Sequence, residues 1–236
     1  MVAQKKKRKL IFIDLFCGAG GTTTGIHNAI VGNFHIAEVL ACVNHDEKAI
    51  ESHYSNHKKT KHFTEDIRTL DVTQIIKLVA EARIKNPGAK ICLWASLECT
   101  NFSKAKGGMS RDADSRTLAE HLFRYIHAID PDYIFIENVE EFMSWGPLIC
   151  KTVKDENGIE SCPIDFEPKF IEIPYKKPRY HRVNGCMVQR FKTKIRDGWE
   201  VVWHGVPESK TKGVDYVRWC NKIQEMGYTY QYRILN

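Results

Sequence analysis

The chain has 236 residues, 43% of them hydrophobic and 27% charged, which is enough for one sizeable core. It contains no apolar stretch of membrane-spanning length, and residues 1–9 lack the apolar segment of a signal peptide, so the expectation is a cytoplasmic protein with no membrane partner. A net charge of +6, much of it in Lys5–Lys9 and between Lys176 and Arg196, favours an anionic partner such as nucleic acid.

From residue 10 to residue 139, short apolar runs alternate with longer amphipathic segments. Residues 10–13 read as a strand, and residues 22–31 as a helix that follows a cluster of glycines. Residues 36–43 and 62–64 are strand-like, with a helical segment at 47–54 between them. Residues 72–84 carry Ile75, Ile76, Val79 and Ala80 at helical spacing, and Asn86-Pro87-Gly88 ends that helix. A strand at 91–95, a helix at 117–129 and a strand at 133–136 follow, the last opened by Asp130-Pro131. Nearly continuous apolar strands separated by helices predict an α/β fold, a mostly parallel sheet with helices on both faces. Periodicity fails between residues 145 and 213, and residues 147–212 read as an irregular basic and aromatic insertion. A helix at 214–227 and an alternating strand at 228–235 then return to the core.

Eight cysteines do not read as a disulfide framework. Cys42 and Cys92 lie inside apolar strands, where a free thiol behaves as a small hydrophobe. Cys150, Cys162 and Cys186 lack C-x-x-C spacing, and even with His181 nearby no metal site is expected.

In such sheets ligands bind beyond the carboxyl ends of the strands, and the chemistry-bearing residues cluster there. After the first strand comes Asp14-Leu15-Phe16-Cys17-Gly18-Ala19-Gly20-Gly21, whose glycines let a ligand approach the backbone. After the second comes Asn44-His45-Asp46, suited to ribose hydroxyls. After the third comes Glu65-Asp66-Ile67, where a carboxylate can accept from an adenine amino group. The three together point to an adenosyl ligand. Cys99 follows the strand at 91–95, and Glu137-Asn138-Val139 ends the strand at 133–136, giving a nucleophile and an acid.

These pieces resemble the cytosine-C5 DNA methyltransferases. The likeness rests on D-L-F-C-G-A-G-G, Asp66-Ile67, C-T-N-F-S at 99–103, Asp114-Ser115-Arg116, E-N-V at 137–139 and the terminal G-Y…I-L-N. It implies a Rossmann-like S-adenosylmethionine-dependent methyltransferase fold. S-adenosylmethionine would be held by Phe16, Gly18, Gly20, Gly21, Asn44, His45, Asp46, Asp66, Ile67 and Leu118. Cys99 would add to C6 of a flipped cytosine in double-stranded DNA, Glu137 would hold the N3 and N4 edge, and Ser103, Arg116 and Asn138 would bind the substrate. Within the same chemistry, a tRNA cytosine-C5 methyltransferase is the nearest alternative, and a catalytically silent cofactor- or DNA-binding subunit is another.

Three departures accompany the resemblance. Glu98 stands where the family has Pro, and a carboxylate beside the thiol raises the thiol pKa. Asn44 replaces the family's acidic ribose ligand, with His45 in place of an aromatic. The family's Q-x-R-x-R segment and target-recognition domain have no counterpart before Asn236. The expectation is therefore one part of a split or truncated enzyme, with a second polypeptide carrying target recognition.

Overall fold

Leu10-Ile11-Phe12-Ile13 starts a strand because β-branched and aromatic side chains fit a pleated surface covered on both sides. A computed structural model describes residues 9–97, 118–150, 152–154, 156–161, 164–171, 174–183, 186–191, 195–203 and 205–235, with the backbone alone for residues 148, 150, 160 and 164–207. The chain divides into two units, Met1–Glu98 with Thr117–Asn138, and Cys99–Arg116 with Val139–Asn236.

In the first unit, β1 (Leu10–Leu15) leads through α1 (Gly21–His27) and a small hairpin, β2 (Ile30–Val31) and β3 (Phe34–His35), into β4 (Ala37–Asn44). Then follow α2 (Glu47–Asn56), β5 (Lys61–Thr64), α3 (Thr73–Lys85), β6 (Lys90–Ser96), α4 (Leu122–Ile129) and β7 (Tyr133–Glu137). The five longer strands form one sheet in the order β5-β4-β1-β6-β7, and every pairing in it is parallel. The order reverses beside β1, as in a Rossmann-like doubly wound sheet. Right-handed crossovers then send α1 and α2 to one face and α3 and α4 to the other. Consistent with this, Arg83 on α3 donates to the carbonyls of Ile129 and Asp130 at the end of α4, at 3.2 and 2.7 Å.

Ile11, Ile13, Leu15, Ile91 and Leu93 are wholly buried. Each such side chain contributes about 1.5–3 kcal/mol relative to exposure. Two chain stops are sharp. Asn86 caps α3 before Pro87, and Asp130 closes α4 in the left-handed region (φ 48°) just before Pro131.

The helix expected over 22–31 is shorter than its pattern. It ends at His27, and Ile30-Val31 turns back on Phe34-His35 through Gly32 (φ 64°). β-Branched residues beside a Gly-Asn turn prefer the hairpin to another helical turn.

In the second unit a short 3-10 helix, Glu140–Ser144, packs beside α5 (Val214–Glu225). Phe142 stacks on Trp145 with ring centroids 5.7 Å apart and meets Tyr216 and Trp219 edge-on at 5.6 Å each. The Trp145 carbonyl accepts from the amides of Asp215 and Tyr216, both at 3.1 Å. Gly146 cannot carry a side chain, because a Cβ there would stand 2.5 Å from the Thr211 carbonyl oxygen.

Much of the stretch without sequence periodicity is paired strand. β8 (Leu148–Cys150) pairs with β15 (Gly205–Pro207), and β9 (Val153–Lys154) with β10 (Glu160–Ser161). β11 (Ile164–Ile171) pairs with β14 (Ile195–Trp203), and β12 (Pro174–Val183) with β13 (Cys186–Phe191). All four pairings are antiparallel. β12 is a run of Pro, Lys and Arg without a regular apolar period, whereas β11 alternates Ile164, Phe166 and Phe170 with Asp165, Glu167 and Lys169. Residues 228–235, expected as a strand, are irregular, with Tyr230, Tyr232, Ile234 and Leu235 exposed and no strand partner among the described residues.

Candidate functional site

The loop after β1 is shaped by backbone conformation. Phe16 (φ 58°), Gly18 (φ 51°) and Gly20 (φ 100°) all lie in the left-handed region. A bulky residue tolerates that region poorly, so Phe16 is held there by its surroundings. The Cys17 amide donates to the Val43 carbonyl at 3.2 Å, and the Gly20 amide to the Cys17 carbonyl at 3.1 Å.

The glycines differ in what they face. A Cβ on Gly20 would stand 2.9 Å from Cδ2 of His57 and 3.0 Å from Cδ2 of His53, so Gly20 is required by close packing inside the protein. Around Gly18 and Gly21 a Cβ would meet nothing within 4 Å, so these two present bare backbone to open space. A flat or bulky ligand can reach the main chain there.

Asn44 ends β4, and its Oδ1 accepts from the Asp46 amide at 2.8 Å. Asp46 caps α2, accepting from the amides of Lys48 and Ala49 at 2.8 and 3.1 Å. The Ala49 and Lys48 amides hold its carboxyl below the usual range. His45 between them is exposed. The Asp46 carboxylate therefore has a structural task as an N-cap.

The turn after β5 is more tightly held. Arg68 grips both oxygens of Asp66, with its Nη2 2.6 Å from Oδ2, and lowers the carboxyl pKa. Ile67 is buried, and its carbonyl accepts from the Tyr125 hydroxyl at 2.8 Å and from Arg124 at 3.2 Å. Arg124 also donates to the carbonyls of Arg68 and Leu70. One guanidinium on α4 thus binds three carbonyls of the 67–70 turn. Sequence reasoning missed Arg124 and Tyr125, because a residue acting through main-chain carbonyls leaves no motif. Leu118, at the start of the 3-10 turn before α4, is buried.

At the β7 edge of the sheet, at the same carboxyl end of the strands, Glu137 is exposed and ends β7. Register places it opposite Ser96 of β6, and the Leu97 amide donates to its carbonyl at 3.2 Å. Asn138 follows, half-buried. Cys99, Ser103 and Arg116, together with Glu98, lie outside the described residues.

Beneath the loop runs a buried polar relay. Asp14 is fully buried, and its Oδ2 accepts from the Thr23 hydroxyl at 2.8 Å, while Oδ1 has no hydrogen-bond partner among the described residues. Burial raises its pKa to about 7. The Thr23 hydrogen bond opposes the rise, and the nearby Glu137 charge adds to it. Thr23 Oγ1 also meets His53 Nε2 at 2.9 Å, and His53 Nδ1 meets His62 Nε2 at 2.8 Å. Burial, then the His62 ring, pushes the His53 pKa down to about 4, so that imidazole is neutral at pH 7. Cys17, Cys42, Cys92 and Cys220 are free and buried, as expected of Cys42 and Cys92.

The strand ends on this face thus offer bare backbone at Gly18 and Gly21, an amide at Asn44, a carboxylate at Asp66 and an apolar residue at Ile67. That donor set suits a nucleoside with an amino-bearing base. Among the described residues, no helix is long and apolar enough to cross a membrane.

Residues 10–147 match the family model described as C-5 cytosine-specific DNA methylase. The Type II methyltransferase M.AgeI of Thalassovita gelatinovora is 30% identical over 133 residues, which are 56% of this chain and 28% of that protein. DNA (cytosine-5)-methyltransferase 1 of Rattus norvegicus is 30% identical over 155 residues, 59% of this chain and 9% of that protein. A crystal structure assigned as a DNA modification methyltransferase encoded within an E. coli prophage shows 27% identity and a TM-score of 0.42, covering 57% of this chain and 33% of that one. The matched stretch is thus under a third of the length of these curated relatives.

Proposed function

Since the chain belongs to the C-5 cytosine-specific DNA methylases, we propose that it methylates C5 of cytosine in double-stranded DNA, with Cys99 as nucleophile and S-adenosylmethionine as donor. The observation that carries this reading is the single family match spanning the glycine loop, the Cys99 segment and Glu137. The register that sets Glu137 opposite Ser96, where β6 runs toward Cys99 in sequence, supports it.

The residues present fit the cofactor. Phe16, Gly18, Gly20 and Gly21 form the loop around it, with Gly18 and Gly21 offering bare main chain. Asn44, His45 and Asp46 lie on the ribose side, Asp66 and Ile67 on the adenine side, and Leu118 completes the apolar wall. When bound, S-adenosylmethionine supplies an electrophilic methyl group.

Cytosine C5 is too weak a nucleophile to take that methyl unaided. The Cys99 thiolate adds to C6, the C5–C6 double bond becomes single as its π electrons shift to C4=C5, and the resulting enamine with the exocyclic amine makes C5 nucleophilic. Glu137 holds N3 and the exocyclic amine and stabilises the charge that develops there. After C5 is alkylated and loses its proton, the C6–S bond breaks and Cys99 is restored. Because C6 is unreachable inside the stack, the cytosine is flipped out, with Ser103, Arg116 and Asn138 around the extruded nucleotide. The net charge of +6 supplies the attraction for the phosphate backbone, and β12 contributes Lys176, Lys177, Arg179 and Arg182 to it.

A duplex containing 5-fluorocytosine tests the reading, since fluorine at C5 blocks the elimination that frees the thiol. The chain is mixed with the duplex and cofactor, alone and with a second polypeptide carrying a target-recognition domain. A covalent adduct lost in Cys99→Ala is expected. No Cys99-dependent adduct in either mixture would overturn the proposal.

A further inference from the structure

Under the cofactor loop, three soft ligands from three separate elements converge. Cys17 comes from the β1–α1 loop, Cys42 from β4 and His53 from α2, and all three are buried. Their ligand atoms, Sγ, Sγ and a ring nitrogen, lie within 4.8 Å of one another. We propose that Cys17, Cys42 and His53 form a binding site for one thiophilic divalent metal ion of the zinc class.

The spacing is close to what such an ion needs. Around tetrahedral zinc, with Zn–S of about 2.3 Å and Zn–N of about 2.0 Å, neighbouring ligand atoms stand roughly 3.5–3.8 Å apart. Cys42 Sγ is already 3.8 Å from His53 Nδ1.

The tautomer of His53 is also set for coordination. The Thr23 hydroxyl gives its proton to Asp14, so toward His53 it can only accept, and the proton between them sits on His53 Nε2. The lone pair is then on Nδ1, the nitrogen near Cys42. Metal-binding histidines are ordinarily oriented in this way, by a carboxylate or its relay behind the ring. Here the relay is Thr23 backed by Asp14.

The charges balance. As the ion enters, two metal–sulfur bonds form, the two thiol protons pass to solvent, and no electron is exchanged. Two thiolates cancel the double positive charge, which a buried site beside Ile50 requires. His53 Nδ1 exchanges its hydrogen bond from His62 for the metal, and His62 Nε2, 2.8 Å from that nitrogen, would take the fourth position. Bound metal would fasten Cys17, and with it the loop at Gly18, to β4 and α2.

The sequence could not show this site. The ligands are 25 and 11 positions apart, without the paired spacing of zinc motifs, and Cys42 reads as a strand hydrophobe.

The test uses the full chain, reduced, freed of metal by a chelator and titrated with cobalt(II) and then zinc(II). One equivalent of cobalt should give sulfur-to-cobalt charge transfer in the near ultraviolet and the intense visible bands of a tetrahedral ion, and one equivalent of zinc should abolish both. Cys17→Ser and Cys42→Ser should each remove the charge-transfer band, Thr23→Val should weaken zinc about 10–100-fold, and Cys92→Ala should change nothing. X-ray absorption of the wild-type zinc form needs no variant, and should count two sulfur ligands with the remainder nitrogen or oxygen. Absence of a one-equivalent signal, its persistence in a Cys17→Ser/Cys42→Ser double variant, or a shell of three or four sulfurs would each overturn the proposal. None of these readouts depends on methylation, so this site and the proposed activity stand or fall separately.

Discussion

Asp14 gives the sharpest test of how the loop is supported. Its carboxyl has a pKa near 3.8 when unfolded and about 7 in the fold, chiefly because the side chain is fully buried. Between those two values the folded state holds a proton that the unfolded state has released, so stability falls as pH rises through this window and is flat above it. Three units correspond to about 4 kcal/mol, of which roughly 3 kcal/mol falls between pH 5 and pH 8. Asp14→Asn is nearly isosteric, keeps an acceptor for the Thr23 hydroxyl and cannot ionise. The variant should therefore lose this pH slope and gain on the wild type at pH 8 relative to pH 5. Urea unfolding of both proteins at half-unit pH steps, in chelator-containing buffer, measures the difference. Parallel stability–pH curves would refute the reasoning, because the proton would then be taken up elsewhere.

Gly20→Ala should cost about 1–3 kcal/mol in urea melts, because its Cβ collides with His57 and His53 and its φ is 100°. Gly18→Ala meets nothing within 4 Å, so it should cost less stability while weakening S-adenosylmethionine in calorimetric titration; the reverse ranking would count against the loop assignment. Arg124→Met leaves three carbonyl contacts unmade and should destabilise by about 1–3 kcal/mol, with faster amide exchange confined first to residues 66–70. Glu98→Gln should move the pH dependence of Cys99 alkylation to lower pH, since the neighbouring carboxylate disfavours the thiolate; an unchanged profile would show that Glu98 does not act on Cys99.

The parallel sheet was legible because its signal is local. β1, β4, β6 and β7 are apolar runs, and Asp46, Asn86 and Pro131 mark starts and stops within one or two residues. The hairpin at Ile30–His35 was hidden, since four residues of strand inside a helical pattern differ from it only by Gly32. The ribbons from Leu148 to Pro207 were hidden for another reason. Their pairing partners are up to 59 positions apart (Leu148 with Pro207), and prolines and charge clusters interrupt the alternation that β11 carries at Ile164, Phe166 and Phe170. At the site, chemistry-bearing side chains at strand ends could be read directly. Asp46 shows the limit, because a capping carboxylate and a ribose ligand look alike in sequence. Arg124, Thr23 and His53 were invisible because each acts through other groups brought close only by the fold.

Arg124 also ties helix α4 to a turn that the proposed reaction uses. Helix α4 follows in sequence from the segment bearing Cys99, yet its first turns hold the loop of Asp66 and Ile67. Thermodynamic linkage makes such a tie reciprocal. On the proposed function, whatever ordering a bound cofactor brings to that loop is returned as ordering of α4, and whatever orders α4 tightens the grip on cofactor. On the same reading, the signature is binding cooperativity, with cofactor and DNA each raising the other's affinity by the same factor, and loss of that coupling when the guanidinium is removed.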